Sequence, residues 1–200
     1  MYKNVIFDLG NVLLSFSPMD YLKSKITEDR ISNVFKAIFQ SEEWVMLDRG
    51  TITEKEAIKN IIDRNLEYRD DINLAFEDWY DILSPIEDTI TVLEDLKEKG
   101  YKVYYLSNFH HLAFEEVVKK NKFFKLFDGG VVSYAEKIIK PEEAIYKLIL
   151  ERYNLNPSET IFIDDTKANI EGANELGIST VFLEDTSSLR EELRKLNIDI

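Results

Sequence analysis

Four places along the chain carry side chains that could do chemistry together. Asp8 ends the apolar run Val5-Ile6-Phe7, and Gly10 and Asn11 follow before Val12-Leu13-Leu14 returns to apolar. Ser107-Asn108 ends the run Val103-Tyr104-Tyr105-Leu106, and Asp164-Asp165 ends Ile161-Phe162-Ile163. Lys140 stands directly before Pro141. A short apolar run reads as a buried strand, and in open α/β sheets ligands bind at the carboxyl edge of such strands. Gly10 is expected to keep the turn after Asp8 small and to let the backbone approach a ligand. Each piece also has a plainer reading. Asp8 could be an ordinary strand-to-turn acid, Asp164-Asp165 a solvated loop pair, Lys140 a surface lysine, and Ser107 a helix N-cap.

The elements that must position these groups follow from hydrophobic spacing. After the first strand the pattern is helical to about residue 85. Pro18 marks one helix start, and Thr27 is the expected N-cap of a second helix with Ile31, Val34, Phe35 and Ile38 on one stripe. Ser41 opens a short helix that ends at Gly50. Thr53 with Glu56 has the spacing of a capping box. A last helical segment, 72–83, carries Phe76, Trp79, Tyr80 and Leu83, which are expected in a local core. Some seventy residues of helix are far too long for a simple strand-to-helix loop, so 15–85 is read as an inserted helical cap. From residue 86 helices and strands alternate, with strands near 102–106, 131–132, 160–163 and 180–183 and a helix starting at Pro141. That rhythm means an α/β fold, a Rossmann-like parallel sheet with right-handed crossovers, built from 1–14 and 86–200. The three polar strand ends then emerge at one edge, and Lys140 can reach it.

Composition narrows the partners. The chain has 200 residues, 44% hydrophobic and 12% aromatic, enough for a sizeable core. Its formal net charge of −13 argues against nucleic acid, which needs a basic surface to neutralise phosphates. The same charge argues against anionic membranes, but it leaves room for a small phosphorylated substrate held by a few local cations. There is no cysteine, so no disulfide, thiolate site or thiol nucleophile exists. With no leader-like start and no apolar run of membrane-spanning length, a soluble, cytoplasmic protein is expected. Oligomeric state stays open between monomer and dimer.

Taken in order, "VIFDLGNVLL" with Asp8, "VYYLSN" with Ser107, "KIIKPEEAIY" with Lys140 and "IFIDDTKANIEGA" with Asp164-Asp165 resemble the four motifs of haloacid dehalogenase superfamily hydrolases. The resemblance covers nearly the whole chain, and the helical insertion matches that superfamily's α-helical cap. The first and last segments look most like its bacterial sugar-phosphate phosphatases, the α-glucose-1-phosphate phosphatase type. This resemblance implies an aspartyl-phosphate on Asp8 that water then hydrolyses. It implies Mg²⁺ as cofactor, held by Asp8, the Gly10 carbonyl and Asp165, because a hard cation lets carboxylates sit beside a phosphate. Asp164 would hold a metal-bound water or Lys140, and Asn169 would orient the acidic pair. Ser107 and the backbone at Asn108 would bind phosphoryl oxygens, and Lys140 would neutralise charge in the transition state.

One departure stands out. Phosphatases of this superfamily usually carry a second aspartate two residues after the nucleophile as general acid and base, and here that position is Gly10. General acid–base help is worth ~10²–10⁴-fold. A site without it suits a good leaving group, such as an anomeric phosphate, or leaves the proton to another group. His110 and His111 offer themselves, although adjacent histidines at a helix start are more often surface residues. Trp44 and Arg49 could face substrate, or could respectively pack between cap helices and stay on the surface. Two rival functions remain: another reaction on the same fold, such as dehalogenation, and a non-catalytic phosphate-binding or regulatory protein.

Overall fold

The computed structural model describes residues 1–200. Five parallel strands form one sheet in the order β3-β2-β1-β4-β5: β1 (Asn4–Phe7), β2 (Lys102–Ser107), β3 (Gly129–Val132), β4 (Thr160–Asp164) and β5 (Ser179–Phe182). The central strand β1 is buried along its length. Period-two alternation sends its residues to two cores. Val5 and Phe7, with Val103, Ile161 and Ile163, face helices α6 (Glu87–Glu98), α7 (His111–Lys120) and α11 (Leu189–Lys195). Ile6, with Tyr104, Leu106 and Phe162, faces α9 (Glu143–Arg152) and α10 (Lys167–Asn174). The short helix α8 (Ser133–Glu136) follows β3 directly.

Between β1 and α6 lie α1 (Pro18–Lys25), α2 (Glu28–Phe39), α3 (Glu42–Arg49), α4 (Glu54–Arg64) and α5 (Arg69–Phe76). Leu22, Ile31, Val34, Ile38, Ile61, Ile72 and Ala75 make a separate small core among them. Local chemistry sets their ends as the sequence suggests. The Ser41 hydroxyl accepts from the Trp44 amide at 3.1 Å, and Gly50 closes α3 at φ 67°. Thr53 and Glu56 make both bonds of the capping box. Thr27 occupies its N-cap position without a side-chain bond.

The expected 72–83 helix is broken. Asp78 adopts φ 54°, a left-handed conformation that Asp tolerates and that ends helices. The following 3₁₀ turn, Trp79–Ile82, turns Trp79 and Leu83 into the core beneath the sheet edge instead of the cap's own core. The helix expected at Pro141 starts at Glu143, and Ser107 ends a strand while His110 takes the N-cap position of α7.

The two links to the inserted helices run side by side. The Ser15 amide donates to the Ser84 carbonyl at 2.7 Å, and the Ile86 amide donates to the Leu13 carbonyl at 3.0 Å. Three further contacts hold α3 against the α/β part. Arg49 pairs with Glu142, Lys137 donates to the Gly50 carbonyl, and the Ser133 hydroxyl donates to the Asp48 carbonyl. Arg49 stays partly exposed at the surface, where its side chain pairs with a carboxylate across the junction. No helix is long and apolar enough to cross a membrane.

Candidate active site

Register brings the acids together. Phe7 pairs with Ile163, and the Asp8 amide donates to the Ile163 carbonyl at 2.9 Å, so Asp8 and Asp164 leave neighbouring strands side by side. Lys140 bridges them, with Nζ 2.8 Å from Asp8 Oδ1 and 2.6 Å from Asp164 Oδ2. This lysine is 3% exposed, so it is no surface residue. Its backbone is fixed by Asn108, whose side chain donates to the Lys140 carbonyl at 3.0 Å and accepts from the Lys140 amide at 2.8 Å. The Asn108 side chain is thus committed to positioning Lys140.

Asp164 is fully consumed. Beyond Lys140 it accepts from the Thr166 amide at 2.8 Å and from Asn169 Nδ2 at 3.0 and 3.1 Å. Asn169 orients Asp164 alone, not the acidic pair. Asp165 is half-buried and accepts from Asn11 Nδ2 at 2.9 Å. Asp8 Oδ1 also takes the Leu9 amide at 2.7 Å. One oxygen from each of Asp8, Asp164 and Asp165 lies within 4.8 Å of the others. Hard carboxylate oxygens at this spacing suit a small divalent cation. Because Asp164 has spent its acceptors, Asp8 and Asp165 are the pair left to ligate it.

Burial pushes the Asp8 carboxyl up to about 7, with Lys140 pulling it down and Asp164 pushing it further up. A cation at the acidic pair would favour the carboxylate that attack requires. For Lys140, burial favours the neutral amine, but Asp8 and Asp164 outweigh it and hold the ammonium above its ordinary range.

Beyond Gly10 and Asn108 a cavity of about 130 Å³ opens toward the inserted helices. Its far walls are Phe16, Trp44, Trp79 and Phe109, with Asp48 and His110 as the titratable groups. Trp44 packs on Phe16, Phe39 and Trp79, as the plainer reading expects, and it also lines the cavity. His110 is not a surface residue. Its ring lies 4.2 Å from that of Trp44 and 5.2 Å from that of Trp79, and burial lowers its pKa to about 3. It is neutral at pH 7, with Nε2 3.4 Å from Asp48 Oδ1 but neither nitrogen in hydrogen-bond geometry. His111 is exposed beside Glu115. A larger cleft of about 320 Å³ lies between Thr51, Glu54, His111 and Tyr134, away from Asp8.

Gly10 leaves open space beside the turn, since a Cβ built there meets no atom within 4 Å. It has no positive φ, and the left-handed residue of the turn is Asn11, at φ 52°. Three polar residues at the site were given no role from the sequence: Asn11, Thr166 and Asp48. Asn11 was within reach of inference, since an Asn after Gly at a strand end favours a left-handed turn.

Comparison with known proteins agrees with this geometry. Residues 2–177 match the model of the haloacid dehalogenase-like hydrolase family. The sesquiterpene phosphatase AstK of Aspergillus oryzae is 28% identical over 98% of this chain and 96% of its own. The (S)-2-haloacid dehalogenase 4A of Burkholderia cepacia is 31% identical over 58% of this chain, which spans about half (51%) of that enzyme. Among solved structures, a HAD family enzyme from Bacteroides thetaiotaomicron, in complex with magnesium and inorganic phosphate, is 30% identical. It superposes with a TM-score of 0.74 over 94% of this chain and 99% of its own. The chain belongs to the haloacid dehalogenase-like hydrolases.

Proposed function

We propose that this protein is a Mg²⁺-dependent phosphatase of a small phosphomonoester, with a sugar phosphate as the leading substrate class. In this reading 1–14 and 86–200 form the catalytic core, 15–85 form the cap, and the enzyme is cytoplasmic. Asp8 attacks phosphorus and carries the aspartyl-phosphate. Lys140 holds the Asp8 carboxylate in line and neutralises the phosphoryl group as charge shifts. Ser107, buried at the end of β2, and the Asn108 amide would receive phosphoryl oxygens. Mg²⁺ on Asp8, the Gly10 carbonyl and Asp165 would supply the positive charge that lets a phosphate dianion enter. Asp164 and Asn169 keep Lys140 in place.

The observation that carries this reading is the charge of the site. Three carboxylates lie around one ammonium, and Asp165 has no cationic partner. Such a pocket repels an anionic haloacid as it stands and calls for a divalent cation. Charged-site logic thus favours phosphoryl chemistry over dehalogenation. The aromatic walls favour a leaving group with an apolar face. The C–H face of a sugar ring meets that, and so does a prenyl chain, the class suggested by the sesquiterpene phosphatase relative.

The test is phosphate release from sugar phosphates, a prenyl phosphate and p-nitrophenyl phosphate, with Mg²⁺ and with chelator, beside halide release from a 2-haloacid. Mg²⁺-dependent phosphate release with no halide release is expected. Halide release, or no phosphate from any ester, would overturn the reading.

A further inference from the structure

We propose that Asp48, carried into the site by α3, is the general acid and base of the reaction. This inference rests on the phosphatase reading. An alcohol or sugar leaving group needs a proton as the ester bond breaks, and the groups around Asp8 cannot give one. Lys140 is bonded to Asp8 and Asp164 and held as ammonium by both. Asp164 has spent its acceptors on Lys140, Thr166 and Asn169. His110 is neutral, with no proton to spare at pH 7. Gly10 has no side chain.

The cavity that leaves the phosphoryl site past Gly10 and Asn108 is where the leaving group must lie, and Asp48 is the one carboxyl in its wall. The space beside Gly10 is open: a Cβ built there meets no atom within 4 Å. A carboxyl from the opposite wall can therefore reach toward the ester oxygen. The position of Asp48 is fixed by the α/β part. The Ser133 hydroxyl donates to the Asp48 carbonyl and accepts from the Phe109 amide at 2.9 Å. Asp48 thus stands over the site when α3 is docked. Burial first, and then nearby Asp8, push its carboxyl up to about 7, with Lys140 acting against them, so its proton is exchangeable near neutrality.

The steps balance. As an Asp8 oxygen bonds to phosphorus, the ester P–O bond breaks and the Asp48 proton moves to the departing oxygen. The Asp48 carboxylate then takes a proton from the water that attacks phosphorus. The Asp8–phosphorus bond breaks, inorganic phosphate leaves, and both side chains return to their starting forms.

The experiment compares two leaving groups in the full-length protein. Asp48→Asn keeps the volume and is expected to lower kcat on a sugar phosphate by ~10²–10⁴-fold. On p-nitrophenyl phosphate, whose leaving group needs no proton, the loss is expected to be far smaller. Gly10→Asp added to Asp48→Asn should restore part of the sugar-phosphate rate. Ser133→Ala, which frees the Asp48 backbone, should show the same leaving-group bias more weakly. Equal losses on both esters, or no loss, would overturn the assignment while leaving the phosphatase reading intact. A wild-type protein that releases no phosphate from either ester would remove the phosphatase reading itself and this inference with it.

Discussion

On the core side of the site, Asp8, Lys140 and Asp164 are bonded to one another and braced by Asn108, Thr166 and Asn169. On the opposite side, Trp44, Trp79 and His110 line the cavity, and Asp48 is the one carboxyl there. The first wall is a fully satisfied polar network, which fixes one geometry and tolerates little change. The second is an aromatic surface that joins the core by packing, through Trp79 and Trp44, as well as by a few polar contacts. In the proposed reading this difference divides the labour: the braced wall would hold the phosphoryl group, and the aromatic wall would meet the leaving group.

Removing the brace should show this most strongly. Lys140→Met leaves two buried carboxylates facing each other without a cation, a change that typically costs about 3–5 kcal/mol. Denaturant unfolding should register most of that loss, and phosphate release should fall to background. A stability loss under about 1 kcal/mol would mean that the two acids share a proton and that the ammonium is dispensable to the fold. The opposite wall should respond mildly. Arg49→Ala breaks the pair with Glu142, whose side chains are 32% and 42% exposed, so it should cost no more than about 1 kcal/mol. Its effect should fall on KM, since docking of α3 is weakened while Asp8 and Lys140 are untouched. A large kcat loss with unchanged KM would show that the two walls are not separable.

The same division explains what the sequence could tell. Strands β1, β2 and β4 were legible because each is a short apolar run ending in polar residues, and register then forces Asp8 and Asp164 to be neighbours. Caps at Ser41 and Thr53 were legible because capping is local chemistry. Asp48 was not, because Leu47-Asp48-Arg49 reads as the ordinary end of a surface helix. Its meaning depends on α3 docking against Ser133, far along the chain. His110 and Arg49 escaped for the same reason: burial between Trp44 and Trp79, and pairing with Glu142, are products of that docking. Asp78 hid the break before Trp79, since a single left-handed residue leaves the helical spacing around it intact.

The most direct test of the account is phosphate release by Asp8→Asn against wild type, at saturating Mg²⁺ and with the best ester of the panel. The amide keeps the size of the side chain and removes the nucleophile. The account predicts release at the level of the buffer control, with the unfolding midpoint little changed. Release from Asp8→Asn that stays within a few-fold of wild type would contradict it, because phosphorus would then be attacked by something other than Asp8.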